Sequence, residues 1–287
     1  MVFKKAETKK ATKAATKKTT KGGDWERELA EAAEATRGQA AAAAPKGGGG
    51  GPRLSVRGGM LSLEGKEVKD NVLECVIVDF SLENAYYGTA FDPENSAPPV
   101  CYALGREENE MEPSDQSEDK QNETCEGCPQ NEMGSAETGR GKACRNAYRM
   151  VLWVPDENED EPRLVTLNAK LSVFRDLNDY IESCADAKRP YWGVVTRLGL
   201  VPARTGKYVV YKLTFEMADT LDADAVKTVK MLRAERVEEM LFADFPTREQ
   251  VEAKQAAKRE RDDSKKPAGR KNKFTRDDAK SAKQRRA

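Results

Sequence analysis

The chain has 287 residues, with 49 lysines and arginines, 49 aspartates and glutamates, and no histidine. Without histidine it cannot build a Ser-His-Asp triad or a Cys-His pair, and no imidazole is present to bind a metal or transfer a proton. The mean hydropathy is -0.78, and no run of about 18 apolar residues is present to cross a membrane. The lysine-rich start lacks the apolar stretch of a signal peptide, so we expect a cytoplasmic protein.

The net charge of zero is the sum of two basic ends and an acidic middle segment. Residues 1–51 carry 11 basic and 6 acidic side chains, and residues 252–287 carry 14 and 6, giving net charges of +5 and +8. Residues 52–251 carry 24 basic and 37 acidic side chains, a net charge of -13. The ends contain few large apolar residues, so we predict disordered tails, with a short helix around Trp25–Arg37. Such tails either keep a protein soluble or bind a polyanion by releasing its counterions.

The apolar pattern of the middle segment predicts a series of strands. Val72–Phe80 is β-branched and mostly apolar, which is typical of a buried strand. A turn that contains Gly206 predicts that the last two strands form a hairpin. The other predicted strands are Tyr86–Phe91, Val100–Leu104, Tyr148–Val154, Leu164–Leu171, Tyr191–Leu200 and Tyr208–Met217.

Helical spacing of apolar residues marks two further segments. Ser172 is a suitable N-cap, and the apolar positions from Val173 to Cys184 predict an amphipathic helix that ends near Ala187. A second amphipathic helix is predicted over 226–241. Thr247 with Gln250 then fits a capping box for a last helix that runs into the basic end.

The order of these elements is typical of a mainly β fold with added helices. We expect an OB-like small β-barrel with an inserted four-cysteine metal loop and disordered basic tails; an α+β sandwich is the alternative. The expected organisation is a tail at 1–51, a core domain at 52–251 with the metal-binding insertion at 101–144, and a basic C-terminal helix and tail at 252–287.

Four of the six cysteines carry the clearest signal in the sequence. Cys75 and Cys184 lie at apolar positions of a strand and a helix, so we expect them in the core. The other four have the spacing C-x23-C-x2-C-x15-C within a segment almost empty of large apolar residues. A bound metal ion would stabilise a folded conformation of such a segment, because the free energy of metal binding contributes to the free energy of folding. The predicted ligands are Cys101, Cys125, Cys128 and Cys144.

The expected metal is Zn²⁺, since four cysteine thiolates are a closed structural set for this ion. An iron–sulfur cluster also accepts four cysteines. Disulfides lack the support of a secretion signal, and a thioredoxin-like pair would require the CxxC sequence at the start of a helix that follows a strand.

Basic and aromatic residues around the last of these cysteines indicate contacts with nucleic acid. Proteins that bind single strands combine cations for the phosphates with aromatic rings on which bases stack. A solvated loop surface and ordinary core packing are the alternative interpretations. Further aromatic candidates are Trp153, Tyr191, Tyr208 and Tyr211, and the last two should occupy opposite faces of one strand. The predicted nucleic-acid contacts are Arg140, Lys142, Arg145, Tyr148, Arg149, Tyr86, Tyr87, Phe91 and Trp192.

The segment PPVCYALG…CEGCPQNEMGSAETGRGKACRNAYR, with its flanking strands, resembles zinc-containing single-stranded DNA-binding proteins of bacteriophages, such as the helix-destabilising protein of T-even phages. It also looks like a motif of uncharacterised phage replication-region proteins. The resemblance covers about residues 70–217. It implies an OB fold, a four-cysteine zinc site, a DNA groove lined by basic and aromatic residues, and a location in the bacterial host cytoplasm. The T-even protein has a histidine among its metal ligands and an acidic tail, and this chain has neither.

Three functions follow from these features. The first is a non-enzymatic single-stranded DNA-binding protein, largely independent of sequence, that acts in replication or recombination alongside other replication proteins. The second is a zinc-ribbon interaction protein that binds a replication or transcription partner. The third is a metal-dependent nuclease, but its carboxylates would have to come from runs such as Asp156–Glu161, which is more typical of a solvated turn.

Overall fold

The computed structural model describes residues 24–36, 53–89, 97–154, 163–170, 173–206, 208–253 and 255–256. Several predictions fall outside these residues and are not addressed by the structure: the disorder of 1–23, 37–51 and 257–287, the ring of Phe91, the N-cap at Ser172 and the acidic run Asp156–Glu161. Residues 1–246 form one unit and residues 247–287 a second.

The described residues contain nine strands in one sheet, which curls strongly into a half-barrel. The mainly β fold class is therefore confirmed, and the OB topology stays a prediction. The strands are β1 Arg53–Arg57, β2 Met60–Leu63, β3 Lys66–Glu67, β4 Val72–Tyr86, β5 Cys101–Gly105, β6 Arg145–Val154, β7 Arg163–Lys170, β8 Val194–Thr205 and β9 Tyr208–Thr220.

The long strand β4 organises the sheet because three other strands pair with it. Its partner on one side is β6, and on the other side β8 pairs with residues 72–75 and β5 with residues 82–86. The order across the sheet is β3-β2-β1-β7-β6-β4-β8-β9, with β1 parallel to β7 and the other pairs antiparallel. The end of β4 at Tyr86 consequently lies between the start of β5 at Cys101 and the start of β6 at Arg145.

Most strand predictions agree with the structure, with differences at the boundaries. The predicted strand at 86–91 is wrong for residues 87–89, since β4 ends at Tyr86. Residues 191–193 form a short 3-10 turn before β8. The strands β1 to β3 were not predicted, because each has five residues or fewer and so gives too short an apolar pattern. The pair Gly58 and Gly59, both at positive φ, marks the turn between β1 and β2 and is the signal that reveals them.

Helices cover the rest of the core. They are α1 Asp24–Thr36, α2 Phe174–Asp186, α3 Ala223–Leu232 and α4 Glu238–Leu241, with a π-helical turn at Arg233–Val237 between the last two. Leu29 and Ala33 of α1 are buried, so residues 24–36 belong to the folded body and correct the prediction of a tail over 1–51. In the second unit the capping box is confirmed: the Gln250 N–H donates to Thr247 Oγ1 at 3.3 Å, and the Thr247 N–H donates to Gln250 Oε1 at 3.2 Å.

A buried carboxylate joins the sheet to the π-helical turn. Asp79 lies at a bulge in β4, where its pairing with β6 shifts register. Its carboxylate accepts a hydrogen bond from the Tyr191 hydroxyl at 3.0 Å and forms ion pairs with Arg106 and Arg233, both at 3.3 Å. Arg233 belongs to the π-helical turn, so this network fixes the turn against the middle of β4.

The largest fully buried side chain among the described residues is charged. Arg149 on β6 is fully buried and forms an ion pair with the fully buried Glu83 on β4. Its guanidinium also donates to the carbonyl oxygens of Leu241 and Ala243, at 2.9 and 2.6 Å. The second Glu83 oxygen accepts from Asn168 of β7 at 3.3 Å. The pair thus connects three adjacent strands with the segment that follows α4.

We expect Arg149→Met to lower the free energy of unfolding by about 3–5 kcal/mol, because the buried Glu83 must then either stay ionised without an opposite charge or take up a proton. Burial raises the pKa of Glu83 to about 8, and Arg149 opposes this rise. In the variant the folded protein keeps the proton of the Glu83 carboxyl group to still higher pH, whereas the unfolded chain releases it near pH 4.5. The fall in the free energy of unfolding with rising pH should therefore continue to higher pH than in the wild type. Urea titrations at several pH values measure both effects.

Two further variants serve as controls. The double variant Glu83→Gln/Arg149→Met should recover part of the loss and flatten the pH dependence, because it removes both charges. Arg197→Met removes an arginine from an exposed pair with Glu74 and Glu216 and should change the stability little. An equal loss of free energy of unfolding in Arg149→Met and in the double variant would contradict a stabilising interaction between Arg149 and Glu83.

Candidate metal centre and nucleic-acid interface

The four cysteines predicted as metal ligands line one small cavity, called here the cysteine cavity. Its volume is about 20 Å³, which is close to the space of one water-sized sphere. Each residue is 7–9% exposed, so the thiols face inward from an otherwise polar segment. The residues concerned are Cys101, Cys125, Cys128 and Cys144.

Backbone geometry brings the cysteines to this cavity from three places in the sequence. Cys101 is the first residue of β5, and Cys144 immediately precedes β6. The Cys125 N–H donates to the Met111 carbonyl at 2.9 Å, and the Cys144 N–H donates to the Gln130 carbonyl at 2.7 Å. Between the paired cysteines, Gly127 has φ +70°, a left-handed conformation that favours glycine and turns the chain tightly.

Asn131 holds the CxxC loop against the segment that leads to Cys144. Its backbone N–H donates to the Cys128 carbonyl at 2.8 Å, and its side-chain amide donates to the Cys125 carbonyl at 3.1 Å. Its side-chain oxygen accepts from the Lys142 ammonium at 3.1 Å. One side chain therefore ties the cysteine loop to a cation of the predicted DNA-binding segment.

The thiols are close enough to influence one another. Burial raises the pKa of Cys101, the Gln121 N–H lowers it, and the nearby Cys128 raises it. The Cys144 thiol lies 3.8 Å from Asn84 Oδ1 on β4. In the described part of the chain, no group of three or more cysteine, aspartate or glutamate side chains is arranged to hold a metal ion, and a metal ion therefore stays a proposal.

The remaining two cysteines lie in the core, as predicted. Cys75 and Cys184 are fully buried, and burial raises the pKa of their thiols to about 12 and about 11. None of the six cysteines, all of them described, is in a disulfide.

Four of the predicted nucleic-acid contacts line one cleft, called here the basic cleft: Tyr86, Tyr87, Lys142 and Arg145. Its volume is about 300 Å³. Tyr86 and Gln130 line both this cleft and the cysteine cavity, so the two are neighbours. The Arg145 guanidinium lies over the Tyr87 ring at 4.6 Å from its centroid, within the range of a cation–π interaction.

The electrostatic surroundings of Tyr87 combine both signs of charge. Burial raises its pKa, Arg145 lowers it, Glu83 raises it and Arg53 lowers it. Glu137 is the acidic residue among the described residues that line the basic cleft. The positive side chains therefore outnumber the negative one, in a body with a net charge of -13 over residues 52–251.

Three predicted contacts are wrong because the structure buries their side chains. Tyr148 is fully buried and packs edge-on against Phe80, with ring centroids 5.4 Å apart. Arg149 is fully buried in its pair with Glu83, and Trp192 is 6% exposed. The further candidates Trp153 and Tyr191 are buried as well.

Of the other candidates, Arg140 is exposed between two glycines, outside the described lining of the basic cleft. Tyr211 is 47% exposed on β9. The sequence did not mark two residues that matter at this site: Asn131, and Arg53 on the unpredicted strand β1. A polar loop residue gives no sequence signal of such a contact.

Comparison of the sequence with protein-family models, with curated proteins and with solved structures found no match. Among the described residues, no helix is both long and apolar enough to cross a membrane. The resemblance to phage single-stranded DNA-binding proteins remains a prediction.

We expect Asn131→Ala to loosen the cysteine loop, because it removes the side-chain bonds to Cys125 and Lys142 while leaving the backbone bond. Amide hydrogen exchange of residues 125–131 and 142–144 should accelerate about tenfold, the effect of losing roughly 1–2 kcal/mol of local stability. Asn122→Ala is the matched control, since its amide donates only locally in the described contacts, to Thr124 at 3.1 Å. Equal acceleration in the two variants would contradict the bridging role.

Proposed function

We propose that this protein binds single-stranded DNA with little sequence preference, and that a zinc ion in the cysteine cavity stabilises the module beside the binding cleft. The observation that carries the proposal is the basic cleft itself. Two tyrosines and two cations line one concave surface, which is the combination that single-strand binders use for bases and phosphates.

The cations have distinct supports within the basic cleft. Lys142 is anchored by Asn131, and Arg145 is anchored by the ring of Tyr87. Phosphates would contact these two side chains, and bases would stack on Tyr86 and Tyr87. A duplex keeps the faces of its bases stacked inside, so stacking on these rings favours a single strand.

The acidic body limits where DNA binds. With a net charge of -13 over residues 52–251, its general surface repels phosphates, so contacts are confined to basic clefts. The basic segments 1–23 and 257–287 would add electrostatic attraction that is independent of sequence. A role in replication or recombination, without enzymatic activity and together with other replication proteins, agrees with this kind of binding.

The donor set of the cysteine cavity fits zinc. Four buried thiols are the ligands of a closed structural site. The volume of about 20 Å³ suits one ion better than a cluster of several iron and sulfur atoms. A bound zinc ion would supply structural cross-linking between β5, the CxxC loop and the start of β6. Lys142 and Arg145 flank Cys144, so fixing this cysteine also fixes the two cations.

We expect the purified full-length protein to contain one zinc ion, as measured by native mass spectrometry and metal analysis. Cys128→Ser should lose the zinc and accelerate hydrogen exchange in residues 101–144 more than in β6 to β9, because metal binding contributes to local folding. Cys184→Ser, which alters a core cysteine, should keep the zinc. A brown protein that contains iron would instead indicate an iron–sulfur cluster. A native protein without any metal would refute the metal proposal.

We expect labelled oligothymidine to bind more tightly than a duplex of the same length, as measured by fluorescence anisotropy over a salt series. The double variant Lys142→Gln/Arg145→Gln should reduce the slope of log K against log salt by about 0.7 for each lost phosphate contact. Lys227→Gln, an exposed cation of α3 paired with Asp224, is the control. A preference for duplex, or an identical slope in all proteins, would contradict binding at the basic cleft and favour an interaction protein.

A further inference from the structure

A second concave surface opens where the half-barrel fails to close. It lies between β1 and β7 on one side and the β8–β9 hairpin on the other, and its volume is about 270 Å³. We call it the seam cleft. Its described lining is Arg53, Leu54, Ser55, Val56, Asn168, Lys170, Val173, Leu200, Tyr211 and Leu213.

The charge of the seam cleft is opposite to that of the body. Its described lining contains two cations, Arg53 and Lys170, and no carboxylate. Both residues are exposed. The Arg53 guanidinium donates to Asn168 Oδ1, so its position is fixed by the neighbouring strand. Two cations without a carboxylate in an acidic body indicate an anionic ligand.

An aromatic ring stands at the rim of the same cleft. Tyr211 is 47% exposed, yet its ring packs against the backbone of the β1–β2 turn. A Cβ atom at Gly59 would lie 2.3 Å from the ring, and Gly59 has φ +84°, so glycine permits this close approach. The turn holds the ring in place while nearly half of the residue stays accessible. The buried side chains of Val173, Leu200 and Leu213 give the cleft an apolar floor.

The seam cleft and the basic cleft lie close together on the sheet. Lys170 of β7 pairs with Ala147 of β6, two residues after Arg145, which lines the basic cleft. Paired residues of adjacent strands share a face, as do residues two apart in one strand. Arg53 of the seam cleft is also near enough to lower the pKa of Tyr87 in the basic cleft. A single extended chain can therefore reach both clefts.

We propose that the seam cleft binds a second nucleotide of the same DNA strand, with a base against Tyr211 and a phosphate at Arg53 and Lys170. This inference rests on the proposed function and extends it from one contact cleft to a path across the sheet. The two cations favour nucleic acid over the other occupant of such a seam, an extended peptide that pairs with the edge strand β9.

The test measures binding of the full-length protein to an oligothymidine of about twelve nucleotides. This length lies within the range of site sizes known for OB folds that bind single strands. Tyr211→Leu should weaken binding by at least about fivefold, because it removes one stacking contact. Tyr211→Phe should bind like the wild type, since the aromatic face remains. Lys170→Gln should weaken binding, whereas Lys212→Gln should not, because this cation lies next to Tyr211 on the opposite face of β9 and pairs with Asp176.

A cross-linking experiment on the wild type makes the test independent of variant folding. Oligothymidine that carries photoreactive bases should cross-link to the peptide that contains Tyr211 as well as to the one that contains Tyr87. Cross-links at Tyr87 alone, with no effect of Tyr211→Leu or Lys170→Gln, would overturn the second subsite and leave the proposed function intact. Failure of the wild type to bind any oligothymidine would refute both.

Discussion

Arg149 and Glu83 carry opposite charges into the interior between β4 and β6, where neither side chain is exposed. Removing two charges from water costs several kcal/mol for each ion, so such a pair persists only where its geometry and its other hydrogen bonds are complete. Here the carbonyls of Leu241 and Ala243 accept hydrogen bonds from Nη1 of the guanidinium, and Asn168 donates to the second carboxylate oxygen. The pair therefore specifies one register: a slip of a single residue between β4 and β6 would turn a charge to the other face of the sheet.

This register determines where the candidate site forms. With Ser81 opposite Arg149, the sheet places Ala85 opposite Arg145 and Tyr86 opposite Cys101. The ends of the cysteine module thus flank the end of β4 before any metal is considered. The basic cleft lies at the same edge, because Tyr87 follows β4 and Arg145 begins β6. The strand register that buries the ion pair therefore also positions the residues of the candidate site, although neither side chain of the ion pair lines the basic cleft.

The sequence predicted the elements whose signal is local and missed the relations that depend on distant residues. Apolar, β-branched runs were enough for β4, β6 and β7, and the pair Thr247 and Gln250 was enough for a capping box. The strands β1 to β3 are too short to give a clear apolar pattern, and a parallel pairing of β1 with β7 makes them part of the sheet. Arg149 was misassigned for the same reason. The nearest cation in the chain, Arg145, is exposed, whereas the partner Glu83 lies 66 residues away.

The contact between Arg145 and Tyr87 bears on how an acidic protein holds a polyanion. A free arginine loses much rotational freedom when it binds phosphate, and an arginine already held against a ring loses less. Lys142 is restrained in a similar way by Asn131. A few restrained cations in concave surfaces can then outweigh a general surface that repels DNA, because repulsion between separated charges is screened over about 8 Å at physiological salt while direct contacts are not. In the proposed binding mode the strand would follow the clefts, because a phosphate that leaves them comes nearer to carboxylates.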